Sequence, residues 1–202
     1  MIRRSAKPET RVGKKYGYND TYSPSKHRNN REFAKVAKAN GGPIFYLDSV
    51  NARTTSVVLE EGISPEMCYV ADREKSVVDI LRMKDFGIDI RHEDIQNYEH
   101  PTAFTTVYLD LMGYMPMMIM PFVQELHEKK SLDNPNFAMF MTIKGSRFRW
   151  QAFRPFQYKT RKRISSQKDV IKFYEDKFAI FGLKIEFCRI YGNNMAFLKF
   201  TT

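Results

Sequence analysis

Only two cysteines, Cys68 and Cys188, occur in 202 residues, and neither has a CxxC partner. That excludes a disulfide framework and a cysteine-ligated zinc site, and it fits a reducing compartment, with the cytoplasm first and an organelle or a virion left open. Histidine is also sparse: His27, His92, His100 and His127 show no metal-ligand spacing, so no metal is expected. No apolar run is long enough for a membrane span, since the longest, Leu111 to Val123, is broken after thirteen residues. The N-terminal MIRRSAKPETRVGKK carries charge but no apolar core of a secretory signal. No internal repeat and no phosphate-binding P-loop is present.

Acidic residues are missing from one stretch in particular. Residues 142–163 hold eight Lys/Arg and no Asp or Glu, and residues 1–40 hold eleven against three, so each carries a net +8. The total is +10, which leaves the rest of the chain at −6. The basicity is therefore local. Cations gathered in a terminal arm and one internal segment are the footprint of a polyanion, because neutralised phosphates release counterions. The internal segment also interleaves Phe148, Trp150, Phe153, Phe156 and Tyr158 with its cations, the mixture in which bases stack on rings while charges hold the backbone. Lys144, Arg147, Arg149, Arg154, Lys159, Arg161, Lys162 and Arg163 are the candidate nucleic-acid contacts, with RNA the favoured class. A second use of the arm is protein assembly.

Few large aliphatic residues occur before position 40, so residues 1–40 are expected to be a flexible basic arm, with a short helix over 31–39 capped at Asn40-Gly41-Gly42. Residues 41–202 form the folded domain. There, strand-like runs (IFYL from 44, MCYV from 67, 88–91, TTVYL from 105, FAMFMT from 137) alternate with helix-like ones (54–61, 75–84, 121–130, 169–181). Thr54 or Thr55 is placed near the start of the first of these helices. Alternation at this period implies βαβ units and a mostly parallel sheet covered on both faces. The last two runs, 183–191 and 195–201, are joined by Gly192-Asn193-Asn194 and read as an antiparallel hairpin.

In an open α/β sheet ligands bind at the carboxyl ends of the strands. Acids stand there: Asp48 after the first strand, Asp72 after the second, Glu93-Asp94 after the third and Asp110 after the fourth. Each of these has a plainer reading, as a helix cap or a solvent-facing charge.

Five β/α units followed by a helix and a hairpin, with those acids, resemble the class I S-adenosylmethionine-dependent methyltransferases over residues 43–202. The resemblance implies a Rossmann-like open sheet of about seven strands with S-adenosylmethionine as cofactor. It assigns the cofactor's ribose hydroxyls to Asp72 and its adenine to Asp94 and Ile95. It gives Asp110, in LDLMGYMP, the methyl-transfer edge, with Tyr114 beside it and Met115 lining the pocket. The first loop departs from the family pattern: no glycine lies between Asp48 and Gly62. Two readings follow. Asp48, Ser49, Asn51, Thr54 and Thr55 substitute as hydrogen-bonding partners of the cofactor, or the chain keeps the fold as an inactive nucleic-acid-binding or assembly component. No Asp/Asn-Pro-Pro-Tyr signature of amino-methylation is present, and no Lys-Asp-Lys-Glu set can be assigned.

Overall fold

The computed structural model describes residues 23–111, 116–144, 167–191 and 195–202, and of 116–118, 144 and 167 only the backbone. The first helix, α1 (Pro24–Asn40), leads into β1 (Ile44–Tyr46). There follow α2 (Arg53–Glu60), β2 (Cys68–Asp72), α3 (Lys75–Arg82), β3 (Asp89–His92) and β4 (Thr106–Asp110). The chain continues through α4 (Pro116–Glu128), β5 (Ala138–Lys144), α5 (Gln167–Phe178), β6 (Lys184–Tyr191) and β7 (Met195–Thr201).

All seven strands join one sheet in the order β3-β2-β1-β4-β5-β7-β6. Strands β1 to β5 pair in parallel, and β7 slots antiparallel between β5 and β6. This is the Rossmann-like sheet with an antiparallel C-terminal pair that the sequence pattern implies. The order reverses between β1 and β4, whose first residues Ile44 and Thr106 are direct partners. The carboxyl ends of these two strands therefore flank the crevice in which such sheets bind ligands.

Period-two alternation divides the core between two faces. Phe45, Val107 and Leu109 point to the side covered by α4 and α5, where Phe122, Val123, Tyr174 and Phe178 are buried. Ile44, Tyr46 and Tyr108 point to the side covered by α1, α2 and α3.

Helix α1 departs from the expected loose arm. It begins at Pro24, with the proline in the first turn where a missing N–H costs nothing, and runs the full seventeen residues to Asn40. Phe33, Ala34 and Ala37 are buried on the sheet, and the Phe33 ring lies 5.3 Å from that of Tyr108 and 5.9 Å from that of Phe140. Residues 24–40 are thus part of the folded unit. The helix stops at Gly41, which takes a positive φ of 64° and donates its N–H to the Ala37 carbonyl.

Three other boundaries move. Helix α2 has neither Thr54 nor Thr55 as its cap: Ala52 occupies that position in the left-handed region (φ 51°) and contributes no side-chain bond. Helix α4 starts at Pro116 and carries Pro121 inside it. The last turn after α5 tightens into a 3-10 segment, Ala179–Phe181, ending at Gly182. The hairpin turn 192–194 lies outside the described residues. Among the described residues no helix is long and apolar enough to cross a membrane.

Candidate functional site

Each strand-end acid meets a different environment. Asp48 is the most heavily bonded. Its Oδ1 accepts the N–H groups of Ser49 (2.8 Å) and Thr54 (3.3 Å), and its Oδ2 accepts the Thr55 N–H (2.7 Å) and the Thr55 hydroxyl (2.8 Å). The carboxylate thus caps α2 in place of Ala52. Burial pushes its pKa up, against those four bonds that favour the charged form.

The threonines are spent in the same network. Thr55 is wholly buried, and its hydroxyl also accepts from the Tyr46 hydroxyl at 3.2 Å. Thr54 is buried and accepts from Asn30 Nδ2 at 3.2 Å. Ser49 and Asn51 are half-buried in the turn before α2. The β1–α2 turn is therefore closed by its own side chains, and Ala52 adopts a left-handed conformation that glycine would take without strain.

The ends of β2 and β3 form a second acidic group. Asp72 and His92 are partners across the two strands, and the Glu93 N–H donates to the Asp72 carbonyl at 3.1 Å. Asp72 accepts the Glu74 N–H on Oδ1 (2.7 Å), and burial raises its carboxyl to about 6. Asp94 reinforces that upward shift by charge. Asp94 caps the short 3-10 turn Ile95–Asn97 by accepting the Gln96 N–H, and Ile95 is buried in the core. The neighbouring Glu93 has a buried Oε2 with no hydrogen-bond partner among the described residues.

Asp110 ends β4, on the sheet face that carries α1. Lys26 Nζ stands 3.1 Å from its Oδ2, while its Oδ1 is buried and unpartnered. Two more buried polar atoms, Asn29 Nδ2 and the Tyr191 hydroxyl, belong to residues close by. The electrostatics place Asp110, Thr142 and Asn29 beside Tyr191, and burial first, then Asp110, raise that phenol to about 12. Asn29 Oδ1 accepts from Arg189 Nη2 at 2.7 Å, and Arg189 also pairs with Glu32 at 2.8 Å. The carboxyl end of β4 therefore sits beside a polar nest built from α1, β5 and β6.

Lys26, Asn29 and Tyr191 are not visible as site residues in the sequence, because only tertiary packing of α1 brings them to Asp110. The signal that was available is helical: Lys26, Asn29, Asn30 and Phe33 share one face if the helix is extended back to Pro24. Tyr114 lies outside the described residues, as do Arg147, Arg149, Arg154, Lys159, Arg161, Lys162 and Arg163. Lys144 closes β5 by its backbone.

No family model matches the chain, and no curated protein matches it in sequence. Solved structures do match in three dimensions. The N-methyltransferase NodS of Bradyrhizobium japonicum WM9, in complex with S-adenosyl-L-homocysteine, superposes with a TM-score of 0.58 at 11% identity, covering 95% of this chain and 96% of that one. The glycopeptide N-methyltransferase MtfA with the same ligand gives 0.61 at 11% identity, covering 91% and 92%. A TehB-like S-adenosylmethionine-dependent methyltransferase of Corynebacterium glutamicum gives 0.57 at 14% identity, covering 96% and 94%. The fold is that of the class I methyltransferases.

In a methyltransferase fold, the residues here divide by how well they suit the cofactor. Asp72 suits hydroxyl donors, since it presents a half-buried carboxyl at a strand end. The β1–α2 turn suits it less, because the Thr54 and Thr55 N–H groups at the start of α2 are already taken by Asp48.

Proposed function

We propose that this protein is an S-adenosylmethionine-dependent methyltransferase acting on nucleic acid, with RNA the favoured acceptor. The observation that carries the reading is the juxtaposition, in a methyltransferase fold, of the Asp72, Glu93 and Asp94 group with Asp110 across the point where the strand order reverses. NodS and MtfA, which share the fold, are solved with S-adenosylhomocysteine. The cofactor would supply an electrophilic methyl group. Asp72 would accept hydrogen bonds from its ribose hydroxyls, and Asp94 with Ile95 would border its base. Asp110, held by Lys26, would mark the edge at which the acceptor is presented. Catalysis of this kind rests mainly on alignment, so a positioned carboxylate and a shielded pocket suffice.

The nucleic-acid half of the reading rests on charge. The acid-free 142–163 segment starts on β5, where Thr142 is the register partner of Asp110 at the end of β4. A second reading, an inactive nucleic-acid-binding scaffold, is favoured by one observation: Asp48 consumes the N–H groups of the first loop. Incubation with methyl-tritiated S-adenosylmethionine and total cellular RNA separates the two. Label in RNA that is lost with Asp110→Ala supports the enzyme, and an unlabelled RNA pool bound by a protein that ignores the cofactor supports the scaffold.

A further inference from the structure

Helix α1 holds five of its residues, Asn29, Asn30, Phe33, Ala34 and Ala37, buried against the sheet. Its opposite face carries Arg28, Arg31, Lys35 and Lys38, all exposed. The spacing of three, four and three residues places the four side chains on one stripe. At 1.5 Å per residue the stripe is about 15 Å long. The helix has one acid, Glu32, and it turns inward to Arg189. Among the described residues none of the four cations has an acidic partner. Such a stripe on a free helix would be a solvated face and no more. Here it is held rigid by a buried inner face, by Arg189 and by Asn40, which donates to Thr106 Oγ1 at 3.0 Å.

Its direction is fixed as well. Asn40 meets Thr106, Phe33 meets Tyr108 and Lys26 meets Asp110, so α1 runs antiparallel along β4 and its first turn reaches the strand end. Arg28 therefore begins the stripe within one turn of the residue that covers Asp110.

Building on the nucleic-acid reading, we infer that this face of α1 is a phosphate-binding rail that guides a nucleic-acid strand toward Asp110. Cations repeating every three to four residues lie about 5 Å apart along the axis, close enough to follow successive backbone phosphates. A membrane surface is the poorer fit. An interfacial helix inserts apolar side chains beside its cations, whereas Phe33, Ala34 and Ala37 of α1 are already buried in the core.

The test is the salt dependence of binding to a fluorescein-labelled oligouridylate, for the wild-type protein and for the quadruple variant Arg28→Gln, Arg31→Gln, Lys35→Gln, Lys38→Gln. Glutamine keeps helix propensity, and the pair variant Lys35→Gln, Lys38→Gln serves should the quadruple one fail to fold. Four phosphate contacts to a single strand contribute about 2.8 to the slope of log K against log salt, and two contribute about 1.4. The rail predicts slopes shallower by these amounts, with S-adenosylhomocysteine binding unchanged. A wild-type protein that binds the oligonucleotide and a variant of unchanged slope overturn the rail alone. A wild-type protein that does not bind overturns both the rail and the nucleic-acid reading. Tighter binding to phosphatidylserine vesicles than to the oligonucleotide, lost in the variant, assigns the stripe to a membrane and overturns the rail.

Discussion

Lys26 on the first turn of α1 pairs with Asp110 at the end of β4, 3.1 Å apart across 84 residues, and both side chains are more than two-thirds buried. A pair in that setting couples more strongly than an exposed one, because water screens it less. A double-mutant cycle with Lys26→Met and Asp110→Asn is expected to give a coupling of about 1–2 kcal/mol in urea unfolding, and additive effects would contradict the pairing.

Asp48 is predicted to be a structural residue. Removing its four hydrogen bonds in Asp48→Ala leaves the first turn of α2 uncapped and should cost about 2–3 kcal/mol, read as a lower urea midpoint. Asp48→Asn keeps one acceptor and should lose less. An unchanged midpoint with a large loss of S-adenosylhomocysteine affinity would instead assign Asp48 to the cofactor.

Much of the sheet was legible in the sequence, and the reasons differ by element. Strands β2, β4 and β5 are dense apolar runs buried on both faces, and β6 alternates exposed and half-buried residues, so each shows its period. The beginning of α1 was not legible. Its buried face includes Asn29 and Asn30, polar residues accommodated by Arg189 and Thr54, and a hydrophobic period cannot show partners that distant. The strand-end acids were found from register alone. What each does depended on local donors: Asp48, Asp72 and Asp94 take N–H groups at the starts of helices, whereas Asp110 is met by the Lys26 ammonium.

Asp72 should impose a pH dependence on cofactor binding. Its carboxyl is raised to about 6, chiefly by burial, and hydroxyl donors need the ionised form. Affinity for S-adenosylhomocysteine is therefore expected to rise as pH climbs through 6 and to level off above it. Calorimetric titration of Asp72→Asn should show a weaker and flat profile, and a wild-type profile flat across this range would contradict the role.

His100 makes folding stability, too, sensitive to acid. It is buried among Phe122, Phe104 and Tyr98, with both ring nitrogens unpartnered among the described residues, and desolvation lowers its pKa to about 3. The unfolded chain takes up a proton near pH 6.5 that the folded one refuses, so stability is lost as pH falls from about 6.5. His100→Phe should flatten that acid loss without lowering the melting temperature at neutral pH. A variant that remains equally acid-sensitive would assign the loss to other groups.

The central claim is that the methyltransferase fold retains a working cofactor site, and thermal unfolding with S-adenosylhomocysteine tests it most directly. A ligand at 100 times its Kd adds about 2.7 kcal/mol to the folded state. A concentration-dependent rise in Tm that disappears in Asp72→Ala is the predicted result, and an unmoved Tm at millimolar ligand would contradict it.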